Sequence, residues 1–145
     1  MPLPKPEPGL VIAYEYLWRH EHEAGRHQGS KVRPCAIVVA VEKRAGMTEV
    51  VVAPITHLEP MPQSEGMEIP FKAKQHLGLD YERSWIIVTD LNAFVWPGYD
   101  IRPVPNAASG GFAYGFLPPK LHAAVVRRIA ALSRTARVTD RSKDE

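Results

Sequence analysis

Short apolar runs alternate along this chain with polar stretches that contain glycine and proline. The clearest runs are rich in Val, Ile, Tyr and Trp, which favour strands, and they cover residues 10–18, 35–41, 48–55, 66–71 and 84–90. Shorter runs of the same kind cover residues 92–96, 100–104 and 112–116. Because each run has the length of a strand and ends near turn-forming residues, the pattern predicts a mainly β fold.

Two of these runs predict an antiparallel hairpin. The strands at residues 35–41 and 48–55 are separated by a short polar segment that contains Gly46, and this spacing is typical of hairpins. The two ends that lie away from the shared turn are then expected to be neighbours in space.

Helical segments are predicted near residues 21–24, 72–79 and 120–134. Gly78 suits the left-handed position that ends a helix. The last segment is the longest, and its apolar side chains fall on one helical face, namely Leu121, Val125, Ile129 and Leu132. From Thr135 onward the chain is polar with mixed charge, and we predict a frayed tail there.

The pattern predicts one folded domain. Residues 1–8 carry a proline at every second position, which favours an extended lead-in. Residues 9–134 hold all the predicted strands and the terminal helix, and residues 135–145 form a flexible polar tail. Many short strands with one terminal helix predict a small, strongly bent β-barrel that the helix caps.

Composition agrees with one globular domain, because hydrophobic residues make up 45% of the 145 residues and charged residues 23%. The formal net charge of +2 does not by itself indicate a nucleic-acid partner. The basic residues are clustered, however, in one segment that holds Arg19, His20, His22, Arg26, His27, Lys31 and Arg33. A local basic patch of this kind attracts a polyanion.

The sequence favours a cytoplasmic location. The single cysteine, Cys35, lies in an apolar strand and has no partner for an internal disulfide, which fits a reducing compartment. Residues 1–8 do not have the basic and then apolar pattern of a signal peptide. No apolar run approaches the roughly 20 residues that cross a bilayer, so no membrane association is predicted.

Arg33 and Thr56 are the candidate catalytic residues. Arg33 precedes Pro34 at the start of one hairpin strand, and Thr56 follows the end of the other. Because both lie away from the shared turn, we expect the guanidinium and the hydroxyl to converge. Arg is a planar cation that matches phosphate geometry, so the pair suits a phosphodiester. The alternatives are a surface arginine and a threonine that only caps a turn.

Four further residues are candidates for substrate binding. Lys31 and Arg26 belong to the basic segment, and His57 follows Thr56 with a side chain that titrates near neutral pH. Asp90 ends an apolar strand and could orient a cation or a hydroxyl. The alternatives are a solvated loop histidine on the face opposite Thr56 and an Asx turn at Asp90.

A metal-dependent hydrolase is the weaker interpretation of the same segment. Glu15, His20 and His22 offer metal-binding atoms, but the loop has no further ligand at a spacing typical of metal sites. No glycine-rich phosphate loop, nucleophile elbow or Cys-x-x-Cys pair is present either. We therefore predict neither a metal nor a cofactor.

The order of these motifs resembles the MazF/PemK family of toxin endoribonucleases. The matching segments are Gly-Leu-Val-Ile-Ala-Tyr at residues 9–14, a polar loop with Gly29, Lys-Val-Arg-Pro-Cys-Ala-Ile-Val-Val at residues 31–39, Val-Ala-Pro-Ile-Thr at residues 52–56, a later strand that leads to Asp90, and the terminal helix. The resemblance spans most of residues 9–132.

The resemblance implies an SH3-like barrel of the MazF/PemK/CcdB type, usually a homodimer. It implies metal-independent, sequence-preferring cleavage of single-stranded RNA, growth inhibition, and neutralisation by a cognate antitoxin. The family's catalytic arginine and threonine match Arg33 and Thr56. In the implied reaction the RNA 2′-hydroxyl attacks the adjacent phosphate and gives a cyclic phosphate and a free 5′-hydroxyl.

The chain departs from the family pattern in its long loop at residues 19–32 and its turn-rich segment at residues 97–111. Long loops above a groove can change base preference or close the site. The alternative is therefore a non-catalytic barrel of the same fold that binds nucleic acid or a protein, as do related toxins that poison a topoisomerase.

Overall fold

A computed structural model describes residues 3–105 and 111–144, except for the side chains of residues 44, 143 and 144. The predicted turn at residues 106–111 lies outside the described residues apart from Gly111. Residues 1 and 2 of the predicted lead-in and residue 145 of the predicted tail also lie outside them. None of the helices in the described part of the chain is both long and apolar enough to cross a membrane.

The described residues form nine strands in one sheet. They are β1 (Leu10–Glu15), β2 (Val32–Glu42), β3 (Thr48–Thr56), β4 (Gly66–Glu68), β5 (Trp85–Ile87), β6 (Asp90–Val95), β7 (Ile101–Arg102), β8 (Ala113–Phe116) and β9 (Arg137–Asp140). The α-helices are α1 (Arg19–Glu23), α2 (Phe71–Leu77) and α3 (Pro119–Ala131). The mainly β class predicted from the sequence is confirmed.

Strand β3 organises the sheet. It pairs with β2 along one edge and with β6 and then β5 along the other, while β1 continues the sheet beyond β2 and pairs with β7 and β8. All these pairs are antiparallel, whereas β9 runs parallel to β6. Among the described strands the hydrogen bonds do not close into a ring, so the sheet is open and the predicted closed barrel is not found.

Both faces of the central strands are buried, because apolar side chains occupy successive positions and point to opposite faces. On one face Val11, Ala36 and Ala53 pack with Leu77 of α2 and Val125 of α3. On the other face the sheet curves over a second cluster, which contains Ile12, Cys35, Ile37, Val52 and Phe94. These two clusters are the hydrophobic core.

The predicted hairpin is confirmed, with β2 and β3 in antiparallel register from Cys35↔Pro54 to Ile37↔Val52 and an irregularity before Val39. Strand β1 ends three residues earlier than predicted. The reason is Asn92, whose side-chain amide bonds both backbone groups of Leu17 at 3.0 and 2.8 Å. The chain then enters α1 after Trp18.

Two other predicted strands have different bounds in the structure. The run at residues 66–71 is a strand only to Glu68, because α2 begins at Phe71. Gly78 follows the last residue of α2, and its φ of 68° confirms the predicted cap. The run at residues 84–90 divides into β5 and the start of β6. The amide of Val88 still bonds the Glu65 carbonyl in the β4–β5 register, whereas the carbonyl of Thr89 accepts from the amide of Arg137. The chain therefore leaves β4 after Val88 and pairs with β9 from Thr89 onward.

The prediction of a frayed tail from residue 135 is wrong. Strand β9 pairs with β6, and both Thr139 and Arg141 are buried. The guanidinium of Arg141 donates to Asp100 Oδ2 at 2.7 Å, to Asn92 Oδ1 at 3.1 Å and to the Glu15 carbonyl at 3.1 Å. A buried cation with this many acceptors fixes the end of the chain on the sheet.

Replacing Arg141 with alanine should destabilise the fold. Among the described residues, the buried Asp100 carboxylate would keep one cationic neighbour, Arg102 at 4.0 Å. Removing one partner of a buried ion pair costs roughly 3 kcal/mol or more. We expect a loss of this size in the free energy of unfolding, measured by urea denaturation. The matched control is Arg134→Ala, since Arg134 is exposed. Equal stability of the two variants would contradict the anchoring role of Arg141.

Candidate functional site

Two cavities open side by side at the end of the β2–β3 hairpin. The Lys31 cavity has a volume of about 330 Å3, and its polar lining includes Lys31, Arg33, Thr56, His57, Asp80 and Ser84. The Trp18 cavity has a volume of about 750 Å3, and its lining includes Trp18, Arg19, Arg33, Thr56, Glu65, Asp90 and Arg137. Arg33, Thr56 and Leu58 line both cavities, so the two form one groove with the candidate catalytic pair at its centre.

The strand register explains why Arg33 and Thr56 meet. The last β2–β3 pair is Cys35↔Pro54, and two more residues in the same register set Arg33 opposite Thr56. The Arg33 guanidinium reaches the end of β3, where Nη1 lies 3.5 Å from the Ile55 carbonyl oxygen. The structure therefore brings together the two residues that the sequence predicts as a pair.

Arg33 is a half-buried cation, and most of its five N–H groups form no hydrogen bond within the described residues. Its guanidinium lies over the Trp18 ring, 5.0 Å from the ring centroid. Burial lowers the pKa of Arg33, although the nearby Cys35, Glu21 and Tyr16 act against this, and a guanidinium stays charged in proteins. Within the described residues its buried Nε has no hydrogen-bond partner. The buried Nε of Arg141 also lacks a partner there, so this feature does not by itself mark an anion site.

The hydroxyl of Thr56 is oriented by the backbone. The amide of Leu58 donates to Thr56 Oγ1 at 3.2 Å, which is the turn-capping contact considered as the alternative for this residue. That bond uses a lone pair of the hydroxyl and leaves its proton available. Thr56 can therefore cap the turn and donate a hydrogen bond to a group in the groove.

His57 is exposed and lies between two carboxylates. Its Nε2 is 2.7 Å from Asp80 Oδ2, and its Nδ1 is 3.0 Å from Glu82 Oε2. The buried Lys74 ammonium bonds Asp80 Oδ1 at 2.8 Å and also the Glu82 carbonyl. Burial alone raises the pKa of Asp80, but the hydrogen bond from Lys74 and the charge of His57 outweigh it and lower that pKa. His57 thus forms a wall of the Lys31 cavity.

The structure gives little support to a metal site. Among the described residues, the one group of possible ligands with atoms within 4.8 Å of one another is His57, Asp80 and Glu82. Each ring nitrogen of His57 faces a different carboxylate, which suits an imidazolium better than a metal ligand. The three residues considered from the sequence form no such group in the described part of the chain, and Glu15 pairs with Arg102 at 3.1 Å.

Asp90 lies in the wall of the Trp18 cavity. The Tyr16 hydroxyl donates to its Oδ1 at 2.5 Å, and the Arg19 amide donates to its Oδ2 at 3.1 Å. Burial raises the pKa of the Asp90 carboxyl, although both hydrogen bonds act in the opposite direction. Burial, together with the charge of Asp90, raises the pKa of the Tyr16 phenol, which therefore remains a donor.

The two remaining predicted binding residues differ in position. Lys31 is exposed and lines its cavity, as a substrate-binding cation would. Arg26 is not among the described residues that line either cavity, and its Nη1 pairs with Glu21 Oε2 at 2.9 Å. The structure therefore does not bring Arg26 to the groove.

Trp18, Glu65 and Arg137 are among the groove residues that were not predicted as site residues from the sequence. Trp18 is the last residue of the strand predicted over residues 10–18, but it lies at the entrance to α1 and is only half-buried. Glu65 belongs to a polar loop without a motif. Arg137 belongs to the tail predicted to fray, and its pairing with Asp90 in the β6–β9 register was not visible in the sequence.

Comparisons with protein-family models, with curated proteins and with solved structures find no match for this chain. The resemblance to the MazF/PemK family therefore stays an expectation from the motifs at residues 9–14, 31–39 and 52–56.

Replacing Asp90 with asparagine tests the effect of burial on its carboxyl. Because the folded-state pKa lies above the ordinary aspartate value, which is about 3.9, the folded protein holds this proton more tightly than the unfolded chain. The contribution of Asp90 to the free energy of unfolding therefore falls as pH rises from the pKa of the unfolded chain to the higher pKa of the folded protein.

We expect the difference in unfolding free energy, wild type minus Asp90→Asn, to decrease as pH rises from about 3 to about 7. Urea denaturation at a series of pH values measures this difference, in which the other titrating groups largely cancel. A difference that increases with pH would show that hydrogen bonding, and not burial, dominates at this carboxyl.

Proposed function

We propose that this chain is a metal-independent endoribonuclease that cleaves single-stranded RNA, with an SH3-like arrangement of the MazF/PemK type. The observation that carries the proposal is the position of Arg33 and Thr56, which both line the two halves of one groove. A scissile phosphate at this point would contact the guanidinium and the hydroxyl together, with one flanking nucleotide in each cavity.

The reaction needs only groups that the groove supplies. The 2′-oxygen forms a bond to the adjacent phosphorus, the bond from phosphorus to the 5′-oxygen breaks, and a cyclic phosphate and a 5′-hydroxyl result. Arg33 balances the negative charge that develops on the phosphate oxygens, and Thr56 donates a hydrogen bond to one of them. Preorganised donors of this kind contribute about 2.7–4 kcal/mol each.

Two titratable side chains line the two cavities that share this pair, one in each cavity. Asp90 lines the Trp18 cavity and His57 lines the Lys31 cavity. The attacking and leaving oxygens of a phosphoryl transfer are on opposite sides of the phosphorus. We assign proton removal from the 2′-hydroxyl to Asp90, because each of its oxygens keeps a second lone pair beside the bond from Tyr16 or Arg19. The raised pKa of this carboxyl also suits a general base. His57 then protonates the 5′-oxygen.

The same proposal covers the substrate and the partners. The reaction consumes a 2′-hydroxyl, so the substrate is RNA, and the narrow groove suits an unpaired strand. Arg19, Lys31 and Arg137 supply positive charge along it. By the family resemblance, the protein acts in the cytoplasm as a homodimer, inhibits growth and is neutralised by a cognate antitoxin.

Substitutions of the central pair test the proposal. In EDTA, the purified wild-type protein should cleave single-stranded RNA and leave cyclic phosphate ends. We expect Arg33→Ala to abolish cleavage and Thr56→Val to slow it roughly 100-fold, the loss typical of one removed oxyanion donor. Gel analysis of end-labelled RNA measures both rates. The matched control is Arg127→Ala, an exposed arginine on α3 that should keep wild-type activity.

Intact RNA after incubation with folded wild-type protein, freed of any antitoxin, would overturn the nuclease proposal. If the wild-type protein and Arg33→Ala bind RNA equally without cleavage, the chain is instead a non-catalytic binding module. Cleavage that requires an added divalent cation would favour the metal-dependent alternative.

A further inference from the structure

The Trp18 cavity has the shape and lining of a nucleobase pocket, and this inference rests on the proposed RNA cleavage. Its volume of about 750 Å3 is in the range of small-ligand sites. The Trp18 ring and the Arg33 guanidinium, stacked 5.0 Å apart, form part of its wall. Unpaired RNA bases stack on aromatic rings and on arginine planes. The cavity thus suits the base of a nucleotide that flanks the cut.

Carboxylates in the lining distinguish this cavity from a phosphate site. Glu59, Glu65 and Asp90 all contribute to its wall. Carboxylates repel phosphate oxygens, but they accept hydrogen bonds from the N–H groups of a base. The phosphate therefore belongs at Arg33 and Thr56, and the base belongs beside the carboxylates.

Glu65 is the carboxylate best prepared to bind a base. The buried Thr89 hydroxyl donates to Glu65 Oε1 at 2.8 Å, and the Val88 amide donates to the Glu65 carbonyl at 2.9 Å. Within the described residues Glu65 Oε2 accepts no hydrogen bond. By contrast, Asp90 uses both of its oxygens, and Glu59 accepts from the Gln63 amide at 2.8 Å. Glu65 is therefore fixed in place and has acceptor sites left.

We propose that the Trp18 cavity binds guanine and that Glu65 accepts hydrogen bonds from its Watson–Crick edge. Guanine presents two adjacent donors there, N1–H and the N2 amino group, which match the two oxygens of one carboxylate. The other three bases place an acceptor beside their donor, and that acceptor would face the carboxylate without a partner. Arg19 and Arg137 in the same wall offer donors to guanine O6.

Sequencing of the cleaved ends tests the pocket in the reaction. We expect cuts in a random single-stranded RNA pool to favour guanine at one fixed position beside the cut by roughly 10-fold or more. Glu65→Gln should reduce this preference to about 2-fold or less while cleavage continues, because glutamine offers a donor where guanine needs an acceptor. Glu42→Gln is the matched control and should keep the preference, because Glu42 is exposed and lies at the opposite end of β2. Cuts without a guanine preference in the wild type would overturn the pocket.

Nucleotide binding tests the pocket without cleavage. Titration calorimetry with 5′-GMP, 5′-AMP, 5′-CMP and 5′-UMP should show GMP binding roughly 10-fold more tightly than the others. Glu65→Gln should lose this difference and Glu42→Gln should keep it, with thermal melts confirming that both variants are folded. If GMP is selected but RNA stays intact, the nuclease proposal fails and the pocket stands. Equal or absent binding of the four nucleotides overturns the pocket.

Discussion

The register of the β2–β3 hairpin is the constraint on which the candidate site depends. A slip by one residue would turn every side chain of a strand to the opposite face. Both faces are buried here, since Cys35 and Val52 belong to one hydrophobic cluster and Ala36 and Ala53 to the other. A slip would therefore disrupt the packing on both faces at once. The core thus fixes the register, and the register places Arg33 opposite Thr56.

Arg141 and Arg33 are both withdrawn from water, but they differ in how many protein groups compensate their charge. Arg141 is 1% exposed and is compensated by the Asp100 carboxylate and several oxygens. Arg33 is half-buried, forms no ion pair within the described residues, and reaches the Ile55 carbonyl at 3.5 Å. The buried Nε of both arginines lacks a partner there, so the two differ in their ion pairing and not at Nε. Desolvation of a charge without compensation costs free energy. The cost at Arg33 is therefore offset less than the cost at Arg141, and the proposed binding of a phosphate at its guanidinium would reduce that cost.

The sequence was sufficient for the local elements with a strong pattern. The β-branched runs gave the hairpin, Gly78 gave the end of α2, and the ends of the hairpin placed Arg33 near Thr56. The tail was not predictable in the same way. Its order depends on Arg141, and a single cation among polar residues looks the same in a sequence whether it is solvated or buried against Asp100.

The same reasoning explains which parts of the site were missed. Glu65 is identified only by its bond to Thr89, a residue 24 positions away. His57 carries a suitable side chain, but its contacts with Asp80 and Glu82 come from the loop after α2 and have no local signal. Arg26 has the right charge and lies in the right segment, yet Glu21 holds it elsewhere. Whether a residue lines the groove is therefore decided by its long-range contacts and not by its residue type.

The end of the chain links the stability of the fold to the shape of the groove. Strand β9 sets Arg137 beside Asp90 in register, and the Arg137 amide donates to the Thr89 carbonyl at 2.8 Å. Thr89 in turn orients Glu65. Because Arg141 anchors this strand from its far end, release of the tail would remove Arg137 from the wall of the Trp18 cavity and the backbone support next to Glu65. The docked tail therefore completes the wall of the Trp18 cavity, whereas the position of Arg33 opposite Thr56 follows from the register of the hairpin.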